Sequence, residues 1–301
     1  MVEKVLLSYL EHICGKVNVR ENVPLSNLTT FNIGGPARFV VTVQTKDALV
    51  RLVSALIYIE YPFKIIGSGS NILASDDGFD GVVVKLGFRE IVENGNFIYA
   101  DAGASLVSVS KRACELGFSG VEFACGIPGT IGGAVIGNVG AFGSCMKDIV
   151  VMVDVLEIET GEIRSLDNIE CGFDYRESLF KSSTKYIILG AYLGLLKDDK
   201  NNIQFRMDMN NQKRIESQPK GSCAGSIFRN PTGYSAGAII DGLGLKGTRV
   251  GGAVISDKHA NFIMNDGNAT AKDVTDLINM IQERAQKEKG LDLLLEIEIM
   301  K

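Results

Sequence analysis

Histidine is nearly absent: the 301-residue chain has only His12 and His259. They lie far apart in sequence, so a histidine-based metal centre is not expected. A Ser-His-Asp triad is poorly served for the same reason, since only two residues could act as its base. The six cysteines (Cys14, Cys114, Cys125, Cys145, Cys171, Cys223) form no C-x-x-C pair. They read as reduced thiols rather than a disulfide framework or a zinc site. Long apolar runs are lacking too, and the most apolar stretch, 186–196, is too short to cross a bilayer. The start Met1-Val-Glu-Lys4 lacks the pattern of a secretory signal. A soluble, cytoplasmic chain is expected. Its net charge of -5 argues against general nucleic-acid binding. A small anionic ligand is still possible, because that needs local donors rather than global charge.

Apolar residues and glycine are plentiful. With 46% apolar and 22% charged residues the chain can bury a sizeable interior, and its length suits two or three packed domains. Glycine concentrates in two segments about sixty residues apart, Gly67-Ser-Gly-Ser-Asn71 and Gly126-Ile-Pro-Gly-Thr-Ile-Gly-Gly133. Each marks a place where backbone turns sharply or approaches something closely. A concavity of main-chain N–H groups suits a phosphate, and two such loops suggest a large phosphate-bearing cofactor such as a dinucleotide.

Neither loop is a Rossmann or Walker A motif. The first follows a strand but lacks a third glycine, a following helix and the Gly-Lys-Ser/Thr ending. The pattern G-x-G-x-x-G does occur at Gly242-Leu-Gly-Leu-Lys-Gly247. There, 236–241 reads as helix and 248–255 as extended, the reverse of the required order, so a structural turn is expected.

Apolar spacing predicts a helix over the first dozen residues, a strand at 38–43, a helix at 47–60 and a buried strand at 63–66 leading into the first glycine loop. Strands at 82–86 and 97–101 follow, then a helix to 116 capped by Ser105. Residues 149–159 form a strand that turns at Thr160-Gly161, and 186–195 form another. The polar run Lys197-Asp-Asp-Lys-Asn-Asn202 reads as a boundary. Beyond it come a basic helical patch at 212–217 and a glycine-rich middle. A helix at 271–287 follows, with Asp273 in its first turn and Gly290 as its stop, and an alternating strand at 293–300 ends the chain. Strands and helices mix without strict β-α-β repetition, so the class is α+β.

Single residues leave alternatives open. Ser226 lacks the G-x-S-x-G setting of a hydrolase nucleophile, and nothing marks Cys223 as reactive. Arg176, among aromatic and acidic neighbours, is either a surface ion pair or a substrate clamp. Glu296 and Glu298 share one strand face with Leu294, either at an exposed edge or held there deliberately.

Taken together, the segments form an ordered set: Thr29-Thr-Phe-Asn-Ile-Gly-Gly-Pro36, the two glycine loops with Asn138, Tyr175-Arg-Glu-Ser178, Ala224-Gly-Ser-Ile-Phe-Arg-Asn-Pro231, Gly244-Leu-Lys-Gly247 and Ser256-Asp-Lys-His-Ala-Asn-Phe262. The set resembles the UDP-N-acetylenolpyruvoylglucosamine reductase family, flavoenzymes of bacterial peptidoglycan precursor synthesis. The likeness runs from about residue 25 to 297, in the shorter subclass without an extra substrate-covering loop.

The resemblance implies an FAD-binding region of the vanillyl-alcohol-oxidase type, made of two α+β subdomains (1–75 and 76–200). An α+β substrate-binding domain (201–290) follows, then a C-terminal strand (291–301) with a catalytic carboxylate. It makes the loops a cradle for FAD without a helix N-terminus behind them. The cofactor candidates are Gly67, Ser68, Gly69, Ser70 and Asn71, with Gly126, Pro128, Gly129, Thr130, Ile131, Gly132 and Asn138. NADPH is then the co-substrate that reduces FAD. Hydride passes to the enolpyruvyl ether of UDP-N-acetylglucosamine enolpyruvate and gives UDP-N-acetylmuramate.

By the same likeness Ser226 matches the proton donor, and Arg176 matches the arginine that stabilises developing negative charge. Glu296 matches the catalytic carboxylate, with Glu298 on the same face as the alternative. Asn230 and Arg214 are candidates for the UDP-sugar. Two departures stand out: Leu294-Leu-Glu-Ile-Glu298 where the family shows proline and glutamate, and no proline around Gly221. A flavin oxidase with another substrate and a non-catalytic UDP-sugar binder are the competing readings. No nucleic-acid partner or membrane span is expected, and the chain is expected to be a monomer or weak oligomer.

Overall fold

Runs rich in β-branched and aromatic residues give this chain more strand than helix at its centre. In the computed structural model, which describes residues 2–301, the chain forms two units, each gathered from separate stretches. The first takes Met1–Arg20, Phe39–Gly67 and Gly81–Arg214, and the second takes Glu21–Arg38, Ser68–Asp80 and Ile215–Lys301.

The first unit is dominated by an antiparallel five-stranded sheet. Its order is Ile163–Asp167, Val150–Glu157, Tyr186–Gly194, Phe97–Asp101 and Ile91–Asn94. Val153, Val155, Ile98, Ala100, Leu189 and Ala191 point from these strands into one apolar core. The expected hairpin at Thr160-Gly161 is present, with Gly161 at φ +71°. Strands Phe63–Ile66 and Phe79–Leu86 pair in parallel, Phe63 opposite Val82. Helix Lys46–Tyr58 buries Leu49, Leu52, Val53 and Leu56. Helix Leu106–Leu116 starts at Ser105, whose side chain accepts from the Ser108 N–H as a cap should.

In the second unit, strands Arg249–Val250, Ala253–Ile255 and Ile263–Asn265 form a small antiparallel sheet. It shares an apolar core with helices Ala236–Gly242 and Ala271–Lys289. The second helix carries a reciprocal cap between Thr270 and Asp273 and ends at Gly290, φ +65°. Gly244 and Gly247 adopt φ +68° and +72°, so the G-x-G-x-x-G stretch is the structural turn its context predicts.

Three expectations need correction. The polar run at 197–202, read as a boundary ahead of a helical patch at 212–217, already opens an 18-residue helix, Lys200–Ser217. The Asp199 side chain accepts from the Asn201 N–H and satisfies an end the sequence makes look like a break. The second glycine segment does lead into a helix, Ile131–Ile136, with Thr130 as its N-cap. Six residues with two glycines give too little periodicity to be read. The final strand is only Glu298–Met300, parallel to Ile72–Ala74, because 294–296 bond instead to the segment around Phe228. No helix among the described residues is long and apolar enough to cross a membrane.

Candidate active site

In the first unit the start of one glycine loop meets the other. A Cβ on Gly67 would fall 2.5 Å from Thr130 Oγ1, so a side chain there would push the two segments apart. The Thr130 hydroxyl accepts from the Gly133 N–H at 3.4 Å. Not every backbone donor in this segment faces outward. Ile131 N–H donates to Ala104 O and Gly132 N–H to Ala102 O, each at 2.9 Å. These bonds pin the loop to 102–104. Gly129 and Thr130 keep N–H groups that bond to no protein acceptor among the described residues, and Pro128 has none to offer.

The rest of the first loop belongs to the second unit. Gly69 takes φ +65° and lies so close to the Leu28 carbonyl that a Cβ would collide with it. Ser68 and Gly69 also leave their N–H groups without a protein acceptor among the described residues. Successive open donors beside a left-handed glycine make the concavity that binds anions, and each unit has such a pair. The residues present therefore fit a flavin cofactor with a pyrophosphate.

Asn71 continues this loop and ties it to the chain's end. Its Nδ2 donates to the Glu296 carbonyl at 2.9 Å, and Glu298 N–H donates to Asn71 O at 2.8 Å. Glu296 N–H in turn donates to Ile227 O at 2.8 Å, and Arg229 N–H to Leu294 O at 2.8 Å. The structure thus brings Ser226 and Glu296 to adjacent backbone positions. Ser226 is half-buried, and its hydroxyl has no hydrogen-bond partner among the described residues. Glu296 is half-buried, whereas Glu298 is exposed. Asn230 is exposed, and its Oδ1 accepts from the Ala236 N–H at the start of helix Ala236–Gly242.

Asn261, in the Ser256–Phe262 motif, is given no role by the resemblance. It is buried, its Oδ1 accepts from Phe228 N–H at 2.9 Å, and its Nδ2 donates to Phe228 O at 2.8 Å. It fixes the segment just after Ser226. A buried asparagine inside a motif is a signal, but sequence does not say which backbone it holds. His259 packs edge-on against Phe262 and accepts from Asn261 N–H at Nδ1. Burial pushes its imidazole below the ordinary value.

Arg176 occupies the third position of a tight turn in the first unit. Asp174 and Glu177 close that turn with two hydrogen bonds of 3.1 Å. Its φ of +56° lies in the region glycine favours. The guanidinium donates from Nη2 to Gly140 O at 3.1 Å and lies 5.5 Å from the Tyr175 ring. Asn138 is buried and holds this turn, donating to Asp174 O at 2.8 Å while its Oδ1 accepts from Lys147 N–H at 2.9 Å. Its amide is therefore committed to backbone.

Arg214, on helix Lys200–Ser217, lies against the second glycine segment. A Cβ on Gly126 would fall 2.9 Å from Arg214 Cδ and 2.7 Å from Asn211 Oδ1. The Arg214 guanidinium sits 5.7 Å from the Phe142 ring. Burial lowers its pKa, yet a guanidinium keeps its proton throughout the working range. No group of three His, Cys, Asp or Glu among the described residues is placed to hold a metal.

A profile of the FAD binding domain family matches residues 37–167. One described as UDP-N-acetylenolpyruvoylglucosamine reductase, C-terminal domain, matches residues 218–300. A UDP-N-acetylenolpyruvoylglucosamine reductase of Caldanaerobacter subterraneus subsp. tengcongensis is 42% identical over 299 residues, spanning 99% of this chain and 98% of that protein. One from Bacillus subtilis is 40% identical over 302 residues, 99% of each. The crystal structure of the reductase from Thermus caldophilus aligns at 37% identity with a TM-score of 0.82, covering 94% of this chain and 100% of that one. The fold is the expected one, an FAD-binding region of the vanillyl-alcohol-oxidase type followed by an α+β domain. The chain belongs to the UDP-N-acetylenolpyruvoylglucosamine reductases, FAD-dependent oxidoreductases of peptidoglycan precursor synthesis.

Proposed function

We propose that the protein uses NADPH to reduce the enolpyruvyl ether of UDP-N-acetylglucosamine enolpyruvate to UDP-N-acetylmuramate, with Ser226 as the proton donor. FAD, when bound, supplies the hydride drawn from NADPH. The observation that carries the residue assignment is the pairing of the Ser226 segment with the Glu296 segment through Glu296 N–H and Ile227 O at 2.8 Å.

In the first unit the open backbone donors of Gly129 and Thr130 suit the cofactor's pyrophosphate, and in the second unit those of Ser68 and Gly69 suit an anion in the same way. Gly67, Gly126 and Gly132 let the loops pack closely on Thr130, on Asn211 and Arg214, and on Ala102, where a Cβ would intrude, while Ser70, Pro128 and Ile131 shape the loops. Asn71 orients the strand behind Glu296, and Asn138 acts through the Arg176 turn. Arg214 and Asn230 are the ligands for the UDP-sugar, the first by charge and the second from the loop ahead of helix Ala236–Gly242.

Saturating the vinyl group needs one hydride and one proton. The Ser226 hydroxyl holds that proton and gives it to the carbon beside the substrate carboxylate. A serine is a weak acid, so the step depends on a strongly basic acceptor and on a rigidly held donor. Asn261 and the 294–296 segment provide that rigidity. Arg176 meets the charge that develops before the proton arrives, and a pre-set cation is most effective there. Glu296 orients the donor and returns a proton to it. The reaction belongs in the cytoplasm, where cysteines stay reduced, in keeping with the six free thiols.

The test is a visible spectrum of the holoenzyme under anaerobic conditions. Flavin bands should bleach with NADPH and return only when the enolpyruvyl sugar is added. Bands that bleach with NADPH but ignore the sugar would refute the substrate. Bands that NADPH leaves unchanged would refute the electron donor.

A further inference from the structure

Helix Lys200–Ser217 has little apolar surface with which to hold its place. Only Ile203 and Met207 on it are buried, and they share a small cluster with Cys114 and Cys125. Two side chains stabilise docking by only about 3–6 kcal/mol, without directional preference. Yet this helix brings Asn211 and Arg214 to within about one side chain's width of Gly126.

A polar network supplies the missing direction. Glu122 is buried on the short turn Glu122–Ala124, just ahead of the glycine segment. Its Oε1 accepts from Ser119 Oγ at 2.8 Å and from Arg206 Nε at 2.9 Å, and its Oε2 accepts from Gly120 N–H at 2.6 Å. Arg206 also donates through Nη2 to Ser119 Oγ at 3.1 Å and to the Asp198 carboxylate. The guanidinium is thus forked between the lead-in to Gly126 and the residues before its own helix. Such a fork fixes orientation as well as distance. Arg206 and Arg214 are about two turns apart on one rigid helix, so a shift at the first moves the second.

We propose that Glu122 and Arg206 are positioning residues for the anionic diphosphate of the substrate, setting Arg214 against the second glycine segment. This rests on the reading of Arg214 as a ligand of the UDP-sugar. The pair touches neither substrate nor cofactor and acts only through the helix.

The experiment is a double-mutant cycle on the holoenzyme with Arg206→Gln, Arg214→Gln and both together, following KM for the enolpyruvyl sugar, kcat and flavin content. Arg206→Gln should raise KM about tenfold while kcat stays within about twofold, the mark of lost ground-state and transition-state binding alike. Arg206→Lys, which keeps charge but not the fork, should recover part of the loss. In the double variant KM should match that of Arg214→Gln alone, because the positioning residue has nothing left to position. Equal factors for Arg206→Gln in both backgrounds would overturn the proposal, as would a fall in kcat and flavin content without a change in KM. If Arg214→Gln leaves KM unchanged, the assignment of Arg214 itself fails. If Arg214→Gln raises KM and Arg206→Gln does not, only the positioning role fails. Should Arg206→Gln not fold, the same cycle with Arg206→Lys decides by the same criterion.

Discussion

The side-chain amide of Asn71 donates to the main-chain carbonyl of Glu296 at 2.9 Å, across 225 residues of sequence. With Glu298 N–H donating back to Asn71 O at 2.8 Å, the first glycine loop and the C-terminal segment are held as one piece. The same loop therefore serves two tasks: Ser68 and Gly69 present open donors, and Asn71 holds the backbone of Glu296, the carboxylate proposed to serve catalysis.

Replacing Asn71 by Ala should cost about 1 kcal/mol of stability, the net worth of one such hydrogen bond. Turnover should fall about tenfold, in proportion to how far Glu296 drifts. Thermal melts and steady-state rates on the same preparation check this. A variant that melts lower but keeps full kcat would mean that Glu296 needs no such support.

Glu296→Gln and Glu298→Gln should differ sharply. The first removes a half-buried carboxylate beside the Ser226 segment, and the second alters an exposed one. We expect a loss of about a hundredfold or more for Glu296→Gln and less than about twofold for Glu298→Gln. Equal activities would remove both from the proton pathway.

Ser226→Ala separates the two half-reactions. Reduction of the bound flavin by NADPH should proceed normally, and reoxidation by the enolpyruvyl sugar should slow about a hundredfold or more, as for a lost general acid. Stopped-flow absorbance reads both steps. Equal slowing of the two would reassign Ser226 to the architecture of the site.

Much of this was legible in the sequence because local chemistry decides it. Ser105 and Thr270 cap helices where they stand, Gly290 stops one, and the hairpin at Gly161 follows from its turn residues. The helix Ile131–Ile136 was not legible, because its glycines mask its period and its cap, Thr130, sits inside a loop motif. The truncation of the last strand was hidden for another reason. Residues 293–300 alternate well enough for a strand, but Glu298–Met300 pairs with Ile72–Ala74 while Leu295 bridges to Phe228, so the two halves have different partners. Motif residues pointed to candidate side chains. They did not tell that Asn138 and Asn261 spend their amides on backbone, because the partners Asp174 and Phe228 are set by tertiary contact.

His259 predicts a pH effect on stability. Burial is the main cause of its lowered pKa, with the Lys246 charge adding to it, while its own backbone hydrogen bond opposes. The folded state therefore resists a proton that the unfolded chain accepts near the ordinary value of about 6.5. Stability contributed by the neutral ring is present above that pH and is lost as pH falls toward the folded value. The melting temperature should drop between pH 7 and 5, and His259→Gln should flatten that drop. An unchanged slope in the variant would place the proton uptake on another group.

Arg176 predicts a separation of stability from activity. Its φ of +56° in the turn closed by Asp174 and Glu177 is one that an L side chain adopts at a cost of about 1–2 kcal/mol. Arg176→Ala removes the guanidinium and its bond to Gly140 O but keeps the Cβ that causes the strain. Arg176→Gly removes the same contacts and the strain together. The glycine variant should therefore be more stable than the alanine variant by about 1 kcal/mol, after allowing for the freer unfolded chain. Both should lose activity by a similar factor, since charge stabilisation is gone from each. Denaturant midpoints of the two variants, measured with their rates, give the answer directly. A glycine variant no more stable than the alanine one would mean the turn carries no strain. The predicted order would mean that a residue poorly suited to its backbone is kept there for its guanidinium, as strained positions at functional sites are.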